Sequence, residues 1–304
     1  MPCAWADDYP NRPVRLIAAI APGGGLDTTA RGIAIRLTEN LKQSVVVDNR
    51  AGGGGSIGVE LVARATPDGY TLLMASSSNL IYTLMYRASY DPLRDFSPVT
   101  QATALPLILV SGPALPVKTI SELIALAREK PGTINYASAG IGGLPHLTGE
   151  LFKMMTATNL VHVPYKGGSS PFADLLSGQI QLVVTAIVSA MPLIKGGRLR
   201  GLAITSRKRS TTVSEFPTLD EAGVPGFDVT QWFGVLAPAT TPRPVIDRLQ
   251  REISIVLQQP EFIARLAADG SEPVASSPVQ FALHMRSELE KWRRVIKQAG
   301  IRGE

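Results

Sequence analysis

Short apolar runs alternate along the chain with stretches whose apolar positions recur every three or four residues. Val14–Ala21 reads as a buried strand and the segment from Thr28 to about Leu41 as the helix that follows it. Val45–Asp48 and Tyr70–Ala75 predict two more strands, the second opened by the turn Pro67-Asp68-Gly69. Leu105–Val110 is apolar and extended, with Gly112-Pro113 beyond it. Between Ile120 and Glu129 the residues Ile120, Leu123, Ile124 and Ala127 share a helical face, and Thr119 with Glu122 fits a capping box. Ile134–Ala137 predicts a strand, Pro145 to about Met155 a helix with Leu147, Leu151, Met154 and Met155 on one side, and Leu160–Val163 a strand. Pro171 and Gly178 bracket a short helix as first-turn and terminating residues. Leu182–Thr185 and Leu199–Thr205 are strands, Glu221–Phe227 is a loop, and Val229–Ala237 returns as an apolar strand. Two long helices close the chain. Val245, Ile246, Leu249, Ile253, Val256 and Leu257 line one; Phe281, Met285, Leu289, Trp292, Ile296 and Ala299 line the other. Strands alternating with helices predict an α/β fold with mainly parallel strands. Ligands of such sheets lie beyond the carboxyl ends of the strands.

Two of those strand ends are rich in glycine. The first strand runs into Ala21-Pro22-Gly23-Gly24-Gly25-Leu26-Asp27, and Ile134–Ala137 runs into Ser138-Ala139-Gly140-Ile141-Gly142-Gly143. Glycine lets the backbone turn and present its N–H groups, and the helix that follows adds unpaired donors and a partial positive charge. Each loop therefore predicts a seat for an anion, and the pair suggests two lobes gripping one small acidic molecule.

Composition narrows the alternatives. The 304 residues are 45% hydrophobic and 18% charged, which is globular and long enough for one or two domains. The net charge of +5 is dispersed; its densest cluster is Arg207-Lys208-Arg209, and no basic stripe interleaves with aromatics, so nucleic acid is not a predicted partner. The single cysteine, Cys3, excludes an intramolecular disulfide and a multi-cysteine zinc site. No apolar run is long enough to span a bilayer. Ala4-Trp5-Ala6 before Asp7 matches the small-x-small end of a secretory leader, while its basic and apolar regions are missing: residues 1–6 are a trimmed leader or a chance match.

Catalytic and cofactor motifs are sparse. Gly53-Gly54-Gly55-Ser56-Ile57-Gly58 matches G-x-G-x-x-G, but it follows the second strand, and the nearest acidic residue, Asp68, lies in a turn; a flexible helix entry is the favoured reading. Neither a P-loop nor a G-x-S-x-G elbow occurs. The histidines 146, 162 and 284 lack metal-ligand spacing, and neither a metal nor a cofactor is expected. His162 and His284 read as structural; His146, opening a helix beside the second glycine loop, is equally a packing residue or a ligand contact. Asp27 either complements its helix dipole, contacts a ligand, or anchors its loop. Ser76, Ser77 and Ser78 cap the next helix or bind a carboxylate, or both. Tyr165 is a candidate pocket residue, whereas Lys166 beside it reads as solvated. Trp232 reads as core and Phe233 as core or pocket wall.

Taken in order, several segments carry a family likeness. They are Tyr9-Pro10-Asn11-Arg12-Pro13, the loop to Asp27, Asn49-Arg50-Ala51-Gly52-Gly53-Gly54-Gly55, and Pro67-Asp68-Gly69-Tyr70-Thr71-Leu72-Leu73. His146-Leu147, His162-Val163-Pro164-Tyr165-Lys166-Gly167, Glu221-Ala222-Gly223-Val224-Pro225-Gly226-Phe227 and Trp232-Phe233-Gly234 complete the set. From Tyr9 to Gly300 the chain resembles the Bug family, periplasmic substrate-binding proteins of tripartite tricarboxylate transporters. The resemblance implies an exported, monomeric, non-enzymatic protein with a two-lobed, Venus-flytrap fold, each lobe a mainly parallel sheet flanked by helices. Residues 7–104 with 229–304 would form one lobe and 105–228 the other. It implies a small carboxylate held by backbone amides and bridging waters, and integral-membrane transporter subunits as partners. Pro22, Gly23, Gly24 and Gly25 and Ser138, Ala139, Gly140, Ile141 and Gly142 map onto the family's gripping loops. With Asp27, Ser77, Ser78, His146, Tyr165, Thr185, Ala186 and Phe233 they make up the expected ligand site. Resembling proteins often carry aspartate or asparagine where Thr185-Ala186 stands here, which disfavours a ligand with an amino group. The rivals are an enzyme acting on a small acidic metabolite through Asp27, His146 or Lys166, and a sensor subunit presenting its ligand to a membrane receptor.

Overall fold

The structure, a computed structural model, describes residues 9–165 and 171–303. Lys166, Cys3 and the leader-like residues 1–6 lie outside the described residues. In chain order the elements are β1 (Val14–Ala18), α1 (Gly25–Leu41), β2 (Val45–Asn49), α2 (Ser56–Ala63), β3 (Thr71–Ser76), α3 (Ser77–Met85) and β4 (Phe96–Ser111). Next come α4 (Ile120–Glu129), β5 (Asn135–Ser138), α5 (Leu144–Thr156), β6 (Val161–Pro164), α6 (Phe172–Ser177), β7 (Leu182–Ala186) and α7 (Ile187–Lys195). The last are β8 (Arg200–Ile204), β9 (Thr230–Pro238), α8 (Arg243–Leu257), α9 (Pro260–Ala268), β10 (Glu272–Pro273) and α10 (Pro278–Ala299). The chain divides into two compact units. One runs up to Ala104 and takes back Trp232–Asp269 and Pro273–Lys291; the other holds Leu105–Gln231, Gly270–Glu272 and Trp292 onward.

In the first unit β1 pairs in parallel with β2 on one side and β3 on the other, and β9 adds antiparallel to β3. Successive residues of these strands point into different cores. Leu16, Leu72, Met74, Phe233 and Val235 meet α1, α8 and α9, whereas Ile17, Leu73, Ala75, Trp232 and Leu236 meet α2 and α10. Burial on both faces explains why residues 16–18 of β1 and 72–75 of β3 read as apolar runs rather than alternating ones. The second unit repeats the order: β5 lies between β6 and β7, all parallel, and β4 adds antiparallel to β7. Ile108, Val110, Ala137 and Val183 pack there against Phe172, Leu175, Ile187 and Ala190.

Thus β1-α1-β2-α2-β3-α3 and β5-α5-β6-α6-β7-α7 follow one topology. In each, the chain moves from its first strand to one side and then crosses to the other. The resulting switch point, where loops leave in opposite directions and open a crevice, lies between β1 and β3 in one unit and between β5 and β7 in the other.

Several elements depart from the sequence pattern. β1 stops at Ala18 and α1 begins at Gly25, because glycines give no apolar periodicity to mark a helix start. β4 begins at Phe96 rather than Leu105. Its first half carries Thr100, Gln101 and Thr103, which are buried; Thr100 Oγ1 donates to the Ser276 carbonyl and Ser276 Oγ accepts from the Gln101 N–H. Polar residues satisfied by a distant segment hide a strand from a hydrophobicity reading. α7 and α9 were not expected: α7 contains Pro192, and α9 is short with only Phe262 and Leu266 buried.

Gly234 in β9 tests how tightly the first unit is packed. A Cβ there would lie inside van der Waals contact of the Phe281 ring and 3.0 Å from the Thr100 carbonyl oxygen. Gly234→Ala is expected to cost about 1–3 kcal/mol through overpacking, read from the midpoint of urea unfolding.

Candidate functional site

At the first switch point β1 ends and the chain passes through Pro22, exposed at the turn, to Gly23 and Gly24. Gly24 is the N-cap of α1 and, having no side chain, leaves the first-turn donors uncapped; the helical ladder begins only with the Thr28 N–H to the Gly24 carbonyl, 2.9 Å. The N–H groups of Gly24, Gly25 and Leu26 thus precede the ladder. Gly23 sits at φ +94°, a conformation that favours glycine, and donates its N–H to Asp27 Oδ2 at 2.9 Å. Asp27 is 2% exposed and also accepts from Asn49 Nδ2 at 2.8 Å and Arg31 Nε at 3.1 Å. Burial raises its pKa, but the hydrogen bonds from Gly23, Asn49 and Arg31 together hold it below the ordinary carboxylate value. Asp27 therefore ties the loop at Gly23 to the end of β2 at Asn49 and to the next turn of α1 at Arg31. β3 passes directly into α3. Ser76 N donates to Asn79 Oδ1 at 2.8 Å, Ser78 is exposed, and Ser77, 1% exposed, has a hydroxyl with no hydrogen-bond partner among the described residues. Phe233 pairs in register with Ser76 and stands behind Gly25, its ring 3.6 Å from where a Cβ would be.

The second switch point repeats the device with different chemistry. β5 ends at Ser138, and Ala139, Gly140, Ile141 and Gly142 lead to the N-cap Gly143, again without a side-chain cap. Gly142, at φ +74°, donates its N–H to Nδ1 of His146, 2.9 Å away. Asp27 and His146 are each the third residue of their helix, and each accepts the N–H of the loop glycine four positions earlier. Ser138 Oγ donates to the Gly140 carbonyl at 3.0 Å and lies 2.7 Å from His162 Nε2. Ala139 and Ile141 are exposed on the loop. At the end of β7, Thr185 is buried and Ala186 is the uncapped N-cap of α7. Tyr165, just past the end of β6, donates its hydroxyl to Asp174 Oδ2 at 2.5 Å. Burial first, and then Asp174, push its pKa up to about 12.

The structure brings together residues that looked unrelated in sequence. The His146 and His162 rings stack 3.7 Å apart, beside Tyr136, whose hydroxyl donates to Glu150 Oε1 at 2.6 Å, and Lys153 Nζ donates to both Glu150 oxygens at 2.8 Å. His162 is pushed down to about 4, mainly by burial and then by His146. Sequence reasoning missed Arg31, Tyr136, Glu150 and the pairing of His162. The strand register sets His162 beside Tyr136, while Arg31 and Glu150 meet Asp27 and His146 from one helical turn on.

A family model described as "Tripartite tricarboxylate transporter family receptor" matches residues 29–301. The chain belongs to this family. Among solved structures, R. palustris Rpa4515 with adipate is 37% identical, covering 97% of this chain and 99% of that one at a TM-score of 0.78. The periplasmic binding protein BugD is 33% identical over 97% and 100% of the two chains, TM-score 0.75. MatC from Rhodopseudomonas palustris with bound malate is 30% identical over 95% and 100%, TM-score 0.74. The receptor therefore has the α/β fold of periplasmic binding proteins and belongs among solute-binding proteins rather than enzymes. Among its described residues no helix is long and apolar enough to cross a membrane.

Two outcomes follow from the anchors. Asp27→Ala strands the Gly23 N–H and removes the Asn49 and Arg31 contacts, an expected loss of about 1–3 kcal/mol in chemical denaturation. A histidine held neutral when folded is protonated more readily when unfolded, so its contribution is full above about pH 6.5 and lost as pH falls toward about 4. Urea unfolding at pH 7.5, 5.5 and 4.5 should show stability declining across that window, and His162→Gln should flatten the decline.

Proposed function

We propose that this receptor captures a small carboxylate lacking an amino group and delivers it to the integral-membrane subunits of a tripartite tricarboxylate transporter from the periplasm. The observation that carries the reading is the uncapped helix start at each switch point, where glycine replaces the usual Ser, Thr, Asp or Asn. A carboxylate oxygen supplies the acceptor those donors lack, in the favourable field of the helix. The unpartnered Ser77 hydroxyl supports the same reading, since a buried donor left unmade is costly until a ligand oxygen meets it. The adipate and malate of the related structures are both carboxylates without an amino group.

Exclusion of an amino group has its own support. An ammonium needs a free carboxylate, and Asp27 already accepts three hydrogen bonds while Thr185 and Ala186 carry no charge. Neutral donors also suit capture followed by release, because they avoid the heavy desolvation of a buried ion pair.

The test is thermal-shift and calorimetric titration with adipate, malate, aspartate and glutamate, and with Gly24→Asp. Gly24 has an extended N-cap conformation that any residue adopts, so an aspartate there would cap α1 with its own carboxylate. The ligand-free variant should be as stable as the parent or more so, yet lose carboxylate affinity by about 100-fold or more, its seat being self-filled. Adipate or malate should bind the parent well above aspartate or glutamate; the reverse order would remove the amino-group argument. Equal affinity in Gly24→Asp and parent would remove the first seat.

A further inference from the structure

We propose that His146 is the positioning residue of the second anion seat: its unprotonated Nδ1 pins the glycine loop through the Gly142 N–H, and a proton taken up there frees the loop and weakens carboxylate binding. The loop half stands on the structure of this unit; the binding half rests on the carboxylate reading above.

The geometry fixes the role. Nδ1 accepts from Gly142 at 2.9 Å, so the ring proton of neutral His146 sits on Nε2. Nε2 lies 3.9 Å from Glu150 Oε1, beyond hydrogen-bond length. A second proton must go to Nδ1, where it faces the Gly142 N–H donor head-on. Acceptor becomes donor, and the contact turns repulsive. Without it the loop from Ser138 to Gly143 keeps, among the described residues, the contacts of Ser138, whose hydroxyl holds Gly140, and the Gly143 carbonyl that accepts the Leu147 N–H. Gly142 is left at φ +74° without the bond that holds it there.

Among the described residues, charged and titratable groups reach the ring from α5, β5 and β6. Burial of the ring is the largest influence and opposes its charge; from α5 come Glu150, which favours the imidazolium, and Lys153, which opposes it and pairs with Glu150 through two 2.8 Å contacts. From β5 comes Tyr136, its hydroxyl committed to Glu150. From β6 comes His162, stacked on His146 at 3.7 Å, so two imidazolium rings would lie face to face. The corresponding anchor of the first seat is Asp27, an acceptor at every pH above the carboxylate range. The two seats share one device, but the second is anchored by an imidazole, whose protonation burial holds below the ordinary histidine value.

The experiment uses the whole chain, ¹⁵N-labelled, with Asn as the discriminating substitution. Asn Oδ1 occupies nearly the place of Nδ1 and accepts the Gly142 N–H but does not titrate. In ligand-free protein from pH 7.5 to 4.5, Gly142 amide protection, corrected for intrinsic exchange, should fall in step with His146 imidazole protonation. H146N should stay protected throughout, and H146A should be unprotected at all pH values. Protection in the parent that ignores His146 protonation, or a step unchanged in H146N, overturns the proposal even if H146A does not fold. With adipate as probe, affinity of the parent should fall about tenfold more than that of H146N between pH 7.5 and 5.0. Identical pH dependence in both, or tighter binding on acidification of the parent alone, overturns the binding half. A Gly142 step without adipate binding at any pH would sustain the loop half and count against the carboxylate reading instead.

Discussion

A helix that begins without a capping side chain leaves backbone N–H groups that something must accept, and this obligation organises the site. Strands β1 and β5 are hemmed in by parallel neighbours, so the chain leaves each at its carboxyl end and turns directly into a covering helix. The turn is made from glycine, which adopts the positive φ of Gly23 and Gly142 without strain but offers no side-chain acceptor. Uncapped starts are not confined to these two helices, since α2, α6, α7, α8 and α9 also lack a side-chain cap, whereas Thr119 Oγ1 accepts from the Glu122 N–H at the start of α4. What sets α1 and α5 apart is that an uncapped start follows a glycine loop pinned by the third helical residue.

An open loop of glycines is floppy unless it is pinned, and pinning from below leaves the upper donors free. Both units solve this by letting the third helical residue reach back to the loop. In the first, Asp27 is fixed in turn by Asn49 at the end of β2 and by Arg31 one turn on, so the adjacent strand and the helix share the load. In the second, His146 is fixed by the stacked His162 of β6 and by the Tyr136–Glu150–Lys153 group beneath it. The supporting residue comes in each case from the strand beside the seat, which is the second strand of the repeated unit. A repeated topology thus carries a repeated arrangement of contacts while the atoms differ: a carboxylate in one place, an imidazole in the other.

The sequence by itself determined the order of strands and helices in most of the chain, because apolar spacing reports directly which faces are covered. It also located both glycine loops, since loss of the side chain is visible in the letters, and it marked Asp27 and His146 through their places just inside the following helices. It left their roles open, and for a physical reason: a buried carboxylate and a ligand-binding one have the same local spacing, and only the distances to Gly23, Asn49 and Arg31 distinguish them. The tertiary structure alone decided the rest. The first half of β4 is polar in sequence and becomes a strand because Ser276, far along the chain, satisfies it. Ser77 reads like Ser76 and Ser78, yet of the three its hydroxyl is the one buried without a partner among the described residues, which depends on how α3 packs. His146 and His162 lie on different elements, and the β5–β6 register brings their rings together. Spacing encodes what a segment needs to bury; which distant group meets it is fixed only when the strands have chosen their register.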